Sequence, residues 1–227
     1  MNNNLMGIIV SFIFVFSIIG LSTVLSELKV LGPEGSRKFI HIGVCNWWLI
    51  AMYFFDDPLW ASLVPLMFVF INYISYRFTL FKAMERDAED KNLGTVYYAI
   101  SLLILAYVSF SLNISYIGAI GILIMGYGDG FAAIIGKKFG KHKIKINHSN
   151  KSIEGSLTVF VFSLIISLVF FSVYTTSSFH APIIFIPASL VIAIIATLLE
   201  FYSPLGSDNL TLPLGISLVA YLLIQLV

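Results

Sequence analysis

Charge is what this sequence has least of. Asp, Glu, Lys and Arg make up 11% of its 227 residues, 59% are hydrophobic, and the mean hydropathy is +0.95. No single core of a water-soluble domain this size could hide so much apolar surface, so lipid is the expected solvent. Cysteine is nearly absent as well. Cys45 stands alone, which excludes an internal disulfide, and its place in an apolar run reads as a small buried hydrophobe. A net charge of +1 provides no electrostatic footprint for nucleic acid. Low-complexity segments and internal repeats are missing too, and the missing repeat counts against a transporter built from inverted halves. The opening Met1-Asn2-Asn3-Asn4 has neither a basic leader nor a small-residue cleavage site, so the apolar run behind it is expected to persist as a first span.

What the chain does have is a succession of apolar runs, at about residues 5–25, 39–55, 59–76, 94–111, 114–135, 156–174, 182–201 and 210–227. Hydrocarbon about 30 Å thick takes roughly 20 apolar residues per helix. The runs are too long and too uniformly apolar for the short alternating strands of a lipid-spanning barrel, whereas helices satisfy their own backbone groups. The expected fold is therefore all-α: a polytopic integral membrane protein of about eight transmembrane helices, with seven as the alternative. A single membrane-embedded domain, residues 1–227, leaves no room for a second soluble one.

Basic residues orient the helices. Lys29, Arg37 and Lys38 lie in the first connection, and Arg77, Lys82, Arg86 and Lys91 in the third. The fifth holds Lys137, Lys138, Lys141, Lys143, Lys145 and Lys151, which completes the protein's 13 cations. The even-numbered connections and both ends hold none. By the positive-inside rule the three basic connections face the cytosol and the N-terminus lies outside. Ten of the 12 carboxylates share the basic side, only Asp56 and Asp57 lying opposite. Carboxylates interleaved with cations on one face suggest a site for metal and phosphate.

Gly126-Tyr127-Gly128-Asp129-Gly130 sits in the fifth run. Asp129 precedes Lys137 by eight residues, which on a continuous helix places it about 12 Å below the cytosolic end. A carboxylate there is a functional candidate by default, and alternate glycines loosen the helix around it. Magnesium prefers a few carboxylates with phosphate oxygens and water, a set that Asp129 and a bound nucleotide would supply. Gly136-Lys137-Lys138-Phe139-Gly140 follows, either as a topology signal or as a flexible cationic lip for a triphosphate. Its likeness to a P-loop fails, because five residues separate Gly130 from Gly136 and Lys138 stands where Ser or Thr belongs. In Lys151-Ser152-Ile153-Glu154-Gly155-Ser156, Ser152 caps the next helix, or Lys151 meets phosphate while Glu154 serves metal or proton transfer. Arg37 and His41 share a helical face beside Lys38, and His41 has no topological duty. Glu200 and Asp208-Asn209 add oxygen ligands on the same side.

Together these motifs, with the Gly94-Thr95 helix entry and its Tyr97-Tyr98, resemble the family of phytol kinases, dolichol kinases and CTP-dependent diacylglycerol kinases. The ordered set runs from about residue 37 to 213, and the order makes the likeness specific. The resemblance implies transfer of a nucleoside triphosphate γ-phosphate, usually from CTP, with UTP or ATP as alternatives, to the hydroxyl of a membrane lipid alcohol. It carries functional positions onto Arg37, Lys38, Asp129 and Gly136. The first four helices of the longer dolichol kinases have no counterpart here, which favours a shorter prenol, phytol or a diacylglycerol.

On that basis Asp129, with Glu154, Glu200 and Asp208, is expected to hold Mg²⁺. Arg37, Lys38, Lys137, Lys138 and Lys151 are expected to surround the phosphates, with Gly128, Gly130, Gly136, Ser152 and Asn209 shaping the nucleotide site. Glu154 or His41 takes the substrate proton. The expected setting is the plasma membrane of a prokaryote, with the site open to the cytoplasm. Two rivals remain: a phosphatidate cytidylyltransferase, a related family that uses CTP differently, and an ion-coupled transporter.

Overall fold

Lipid turns the usual arrangement of a helix inside out, and α1 (Asn3–Glu27) shows how. Its buried residues, Asn4, Gly7, Ser11, Val15, Ile19 and Ser22, recur every three or four positions and are mostly small or polar, while Leu5, Ile9, Ile13, Phe16 and Leu21 point outward. Small residues let helices approach closely where burial of apolar surface no longer drives association. α8 (Ile153–Tyr174) repeats the device. Gly155, Val159, Ser163, Ser167 and Phe171, at strict intervals of four, face the protein, and Leu157, Val161, Ile165 and Val169 face away.

The computed structural model describes residues 2–81, 92–146, 149–174, 182–204 and 206–226. Between α1 and α8 run α2 (Pro33–Cys45), α3 (Trp47–Phe54), α4 (Pro58–Phe78), α5 (Gly94–Ser111), α6 (Ser115–Leu123), a π-helical stretch (Ile124–Asp129) and α7 (Gly130–Phe139). Strands β1 (Lys143–Ile146) and β2 (Ser149–Ser152) then lead into α8, followed by α9 (Pro182–Tyr202) and α10 (Asp208–Ile224). Lys82, Arg86 and Lys91, with the carboxylates between them, lie outside the described residues.

Among the described residues six helices are long and apolar enough to cross a membrane, and the chain is an all-α integral membrane protein. Apolar α10 is shorter, at 17 residues. The run expected at 39–55 is two helices, α2 and α3, meeting at Asn46. Its amide donates to the carbonyls of Ile42 and Gly43, and its oxygen accepts from the Tyr127 hydroxyl at 2.6 Å. The connection after α7 also departs from expectation. Gly136–Phe139, expected as a loose lip, continue α7, and Lys143-Ile144-Lys145-Ile146, alternating with period two, then pairs antiparallel with Ser149–Ser152 in a hairpin.

The charge-poor end is tied as well. Asp57 caps α4 by accepting from the amides of Leu59 and Trp60, ahead of Pro58 at the first helical position. Asp56 accepts from the side chain of Asn4, joining the start of α1 to the start of α4.

The helix from Ser115 to Phe139 is the axis of the bundle. In its apolar window 78% of residues are buried, against 22% for α1. α2 crosses it at very short range. A Cβ on Gly126 would overlap the Cβ and Sγ of Cys45, and one on Gly130 would overlap Ile42. These two glycines are therefore needed for approach. Gly126→Ala is expected to destabilise the protein by about 1–3 kcal/mol, the usual cost of overpacking. A lower thermal midpoint in detergent would show it, and an unchanged one would contradict the close contact.

Candidate active site

Because α2 lies so close to the π-helical stretch, two of its side chains reach Asp129. The Lys38 ammonium sits 2.6 Å from Asp129 Oδ2, and His41 Nε2 sits 3.4 Å from the same oxygen. Lys38 and Asp129 are both more than nine-tenths buried. The three glycines around Asp129 unwind the α-helix by one hydrogen-bond register into a π turn, a form enriched at functional sites. His41 Nε2 also lies 3.2 Å from the Met125 carbonyl, and its ring stacks on Tyr98, whose hydroxyl donates to the His41 carbonyl at 3.2 Å. The imidazole is thus fixed on both sides.

A second ion pair lies nearby. Lys151 arrives from the end of β2 and meets Glu200 of α9 at 2.6 Å, donating to that residue's backbone carbonyl as well. Lys151 is near enough to Asp129 to act on its charge, and Asp208 feels Asp129, Lys38 and Lys151. Residues from α2, the π stretch, β2, α9 and α10 therefore form one electrostatic cluster.

Other expected residues sit apart from it. Lys137 and Lys138 are exposed at the end of α7, Lys138 lying over the ring of Phe139. Glu154 Oε1 accepts from the amides of Lys141 and His142 and meets His142 Nδ1 at 3.0 Å, so this carboxylate fastens the hairpin to α8. Ser152 caps α8, its hydroxyl accepting from the Gly155 amide. Gly136 packs on Ser152 and near Gly155, which brings α7 against α8; Gly128 has only ordinary contacts with Val159. Arg37 pairs with Glu34 at 2.6 Å. Among the described residues no three His, Cys, Asp or Glu side chains converge as a metal cage.

His41 and Arg37 face a cleft between α1, α2, α4 and α5, with Trp47 of α3 and Asn209 of α10 also lining it and about 890 Å³ of empty space including its open mouth. One end is polar, bounded by Arg37, Asn72, Thr95 and Asn209. The other is apolar, bounded by Val15, Val44, Trp47, Val64 and Leu102. Asn72 and Asn209 spend their amide N–H groups on the carbonyls of Thr95 and Gly94 at the start of α5. Asn72 interrupts the run Phe68-Val69-Phe70-Ile71-Asn72-Tyr73, and that intramembrane amide was the signal for the cleft available in the sequence.

A model of the cytidylyltransferase family matches residues 4–206. The chain is 35% identical over 203 residues to the phytol kinase of a Synechocystis strain, covering 87% of this chain and 82% of that protein. It is 31% identical over 213 residues to phytol kinase 1 of Arabidopsis thaliana, covering 87% and 69%. A shorter match, 42% identical over 96 residues, links it to the dolichol kinase sec59 of Schizosaccharomyces pombe, covering 42% of this chain and 17% of that one. No solved structure matches.

Proposed function

Because this chain belongs to the cytidylyltransferase family, among its phytol and dolichol kinases, we propose that it phosphorylates a membrane lipid alcohol. In this reading it moves the γ-phosphoryl group of a nucleoside triphosphate, CTP by preference, onto an isoprenoid-type hydroxyl at the cytosolic face. One observation carries the proposal: His41, which meets the buried Asp129 beside Lys38, also lines an apolar cleft near its polar end. A charged donor and a greasy acceptor meet where those two environments join.

Phosphoryl transfer asks the protein for position and for charge on the equatorial oxygens. Lys38 and Lys151 supply cations that solvent screens poorly, and Arg37 stands at the mouth of the cleft. Magnesium carried in with the nucleotide would be held by Asp129 and Asp208, its other ligands being phosphate oxygens and water. When bound, that ion neutralises charge on the phosphates. His41 accepts the proton of the acceptor hydroxyl. With Nε2 donating to Met125 or Asp129, the neutral ring keeps its lone pair on Nδ1.

The family name itself favours a second reading, cytidylyl transfer to a lipid phosphate. Purified protein given γ-labelled CTP, Mg²⁺ and a lipid alcohol is expected to yield labelled lipid phosphate and CDP. Release of pyrophosphate with a CDP-lipid would replace the kinase by a cytidylyltransferase, and no turnover alongside ion flux in liposomes would favour a transporter.

A further inference from the structure

Between Asp129 and Glu154 the chain has six lysines and no carboxylate. Lys151 is spent on Glu200. Lys137, Lys138, Lys141, Lys143 and Lys145 are all exposed, and among the described residues none of the five belongs to an ion pair. A topology signal needs such charge but does not need it held in place. Here it is held. Glu154 accepts from the amides of Lys141 and His142, the Ile153 amide donates to the His142 carbonyl at 3.1 Å, and Ser152 packs against Gly140.

These ties fasten the hairpin to the ends of two membrane-length helices, Ser115–Phe139 and Ile153–Tyr174. The second has 22 residues, a rise of about 33 Å against hydrocarbon about 30 Å thick, so Ile153 falls at the edge of the apolar layer. Lys143 pairs with Ser152 at the base of the hairpin, and Lys145 stands two residues further on, about 7 Å at strand spacing. The lysines thus lie within about one Debye length of the headgroup layer, where their charge is still felt. Apolar side chains share the same surface. Phe139, Ile144 and Ile153 are 57%, 40% and 51% exposed. A soluble phosphate makes no use of them, whereas the boundary between headgroups and acyl chains takes cations and apolar side chains together.

We propose that the end of α7 and the hairpin form a docking surface for anionic phospholipid headgroups of the surrounding bilayer. The five lysines meet the lipid phosphates, and Phe139, Ile144 and Ile153 sit among the roots of the acyl chains. Docking also bears on the candidate active site. Ile144 pairs directly with Lys151 across the ribbon, so the two share a face, and seating the ribbon sets where Lys151 stands against Glu200. This second consequence rests on the kinase reading; the docking itself does not.

Full-length protein in nanodiscs of phosphatidylcholine, with or without about 30% phosphatidylglycerol, tests both parts. Amide hydrogen exchange in the hairpin is expected to slow about fivefold or more with phosphatidylglycerol, and high salt is expected to reverse it. Lys141→Gln, Lys143→Gln and Lys145→Gln together are expected to remove that response while leaving the phosphatidylcholine rate of phosphoryl transfer within about twofold. In the wild type the rate is expected to rise about threefold or more with phosphatidylglycerol. Equal exchange in both bilayers, or a triple variant that responds like the wild type, would overturn the docking surface. Protection produced by CTP or inorganic phosphate in phosphatidylcholine discs, or a raised KM for CTP in the triple variant there, would assign the lysines to soluble phosphate and overturn it too. Lipid-dependent protection in a protein that phosphorylates no alcohol would uphold the docking and end the kinase reading.

Discussion

Asp129→Asn is expected to remove phosphoryl transfer while leaving a protein that still inserts in the membrane. The carboxylate is proposed to share in holding the nucleotide's metal ion, a contribution of several kcal/mol that corresponds to a rate loss of at least several hundredfold. The same change strips Lys38 of its counter-ion at a site more than nine-tenths buried. Breaking one side of a buried pair costs about 3–5 kcal/mol, so a fall in activity alone does not separate chemistry from unfolding. The double variant Lys38→Met with Asp129→Leu separates them. With both charges gone the desolvation penalty disappears too, and stability in detergent is expected to return to within about 1–2 kcal/mol of the wild type. Activity is expected to stay absent. A double variant that regains both would make the pair a purely structural element and remove Asp129 from the reaction.

His41→Asn is expected to lower kcat by about 10²–10⁴-fold, the range of a positioned general base. KM for the nucleotide is expected to change little, because the phosphates are assigned to Lys38, Lys151 and Arg37. Asn keeps one donor near Met125 and Asp129 but offers no basic nitrogen, which makes it a stricter test than Ala. If KM rose with kcat unchanged, the ring would be a binding group and some other residue would take the proton. The stacked Tyr98 gives a control. Tyr98→Phe keeps the ring and loses the bond to the His41 carbonyl, so its effect measures orientation separately from basicity.

Helix placement was legible because lipid leaves a coarse mark. The apolar runs at 94–111 and 182–201 coincide with α5 and α9 to within a residue. Three features escaped. Asn46 breaks one run into α2 and α3 because its side chain takes the carbonyls at the end of α2, a local competition that hydropathy does not register. The hairpin was visible in the alternation Lys143-Ile144-Lys145-Ile146, but a row of lysines reads first as topology. The partners of individual charges were the least legible. Lys151 and Glu200 are 49 residues apart, and Glu154 was drawn to His142 and not to Asp129. Spacing along a chain says which residues share a helical face. It does not say which faces meet, and here glycine contacts at positions 126 and 130 decide that.

Trp47, at the apolar end of the cleft, bears on where a product could go. Its indole donates to Ser11 of α1 at 2.8 Å, and the neighbouring Trp48 donates to the Ser115 carbonyl, so two wide rings are bolted across the middle of the bundle. In the proposed reaction, a lipid newly given a double negative charge at the open end would have to pass those rings to reach the other leaflet. On that reading the product leaves on the side where the spent nucleotide leaves, and the two halves of the bilayer stay chemically distinct.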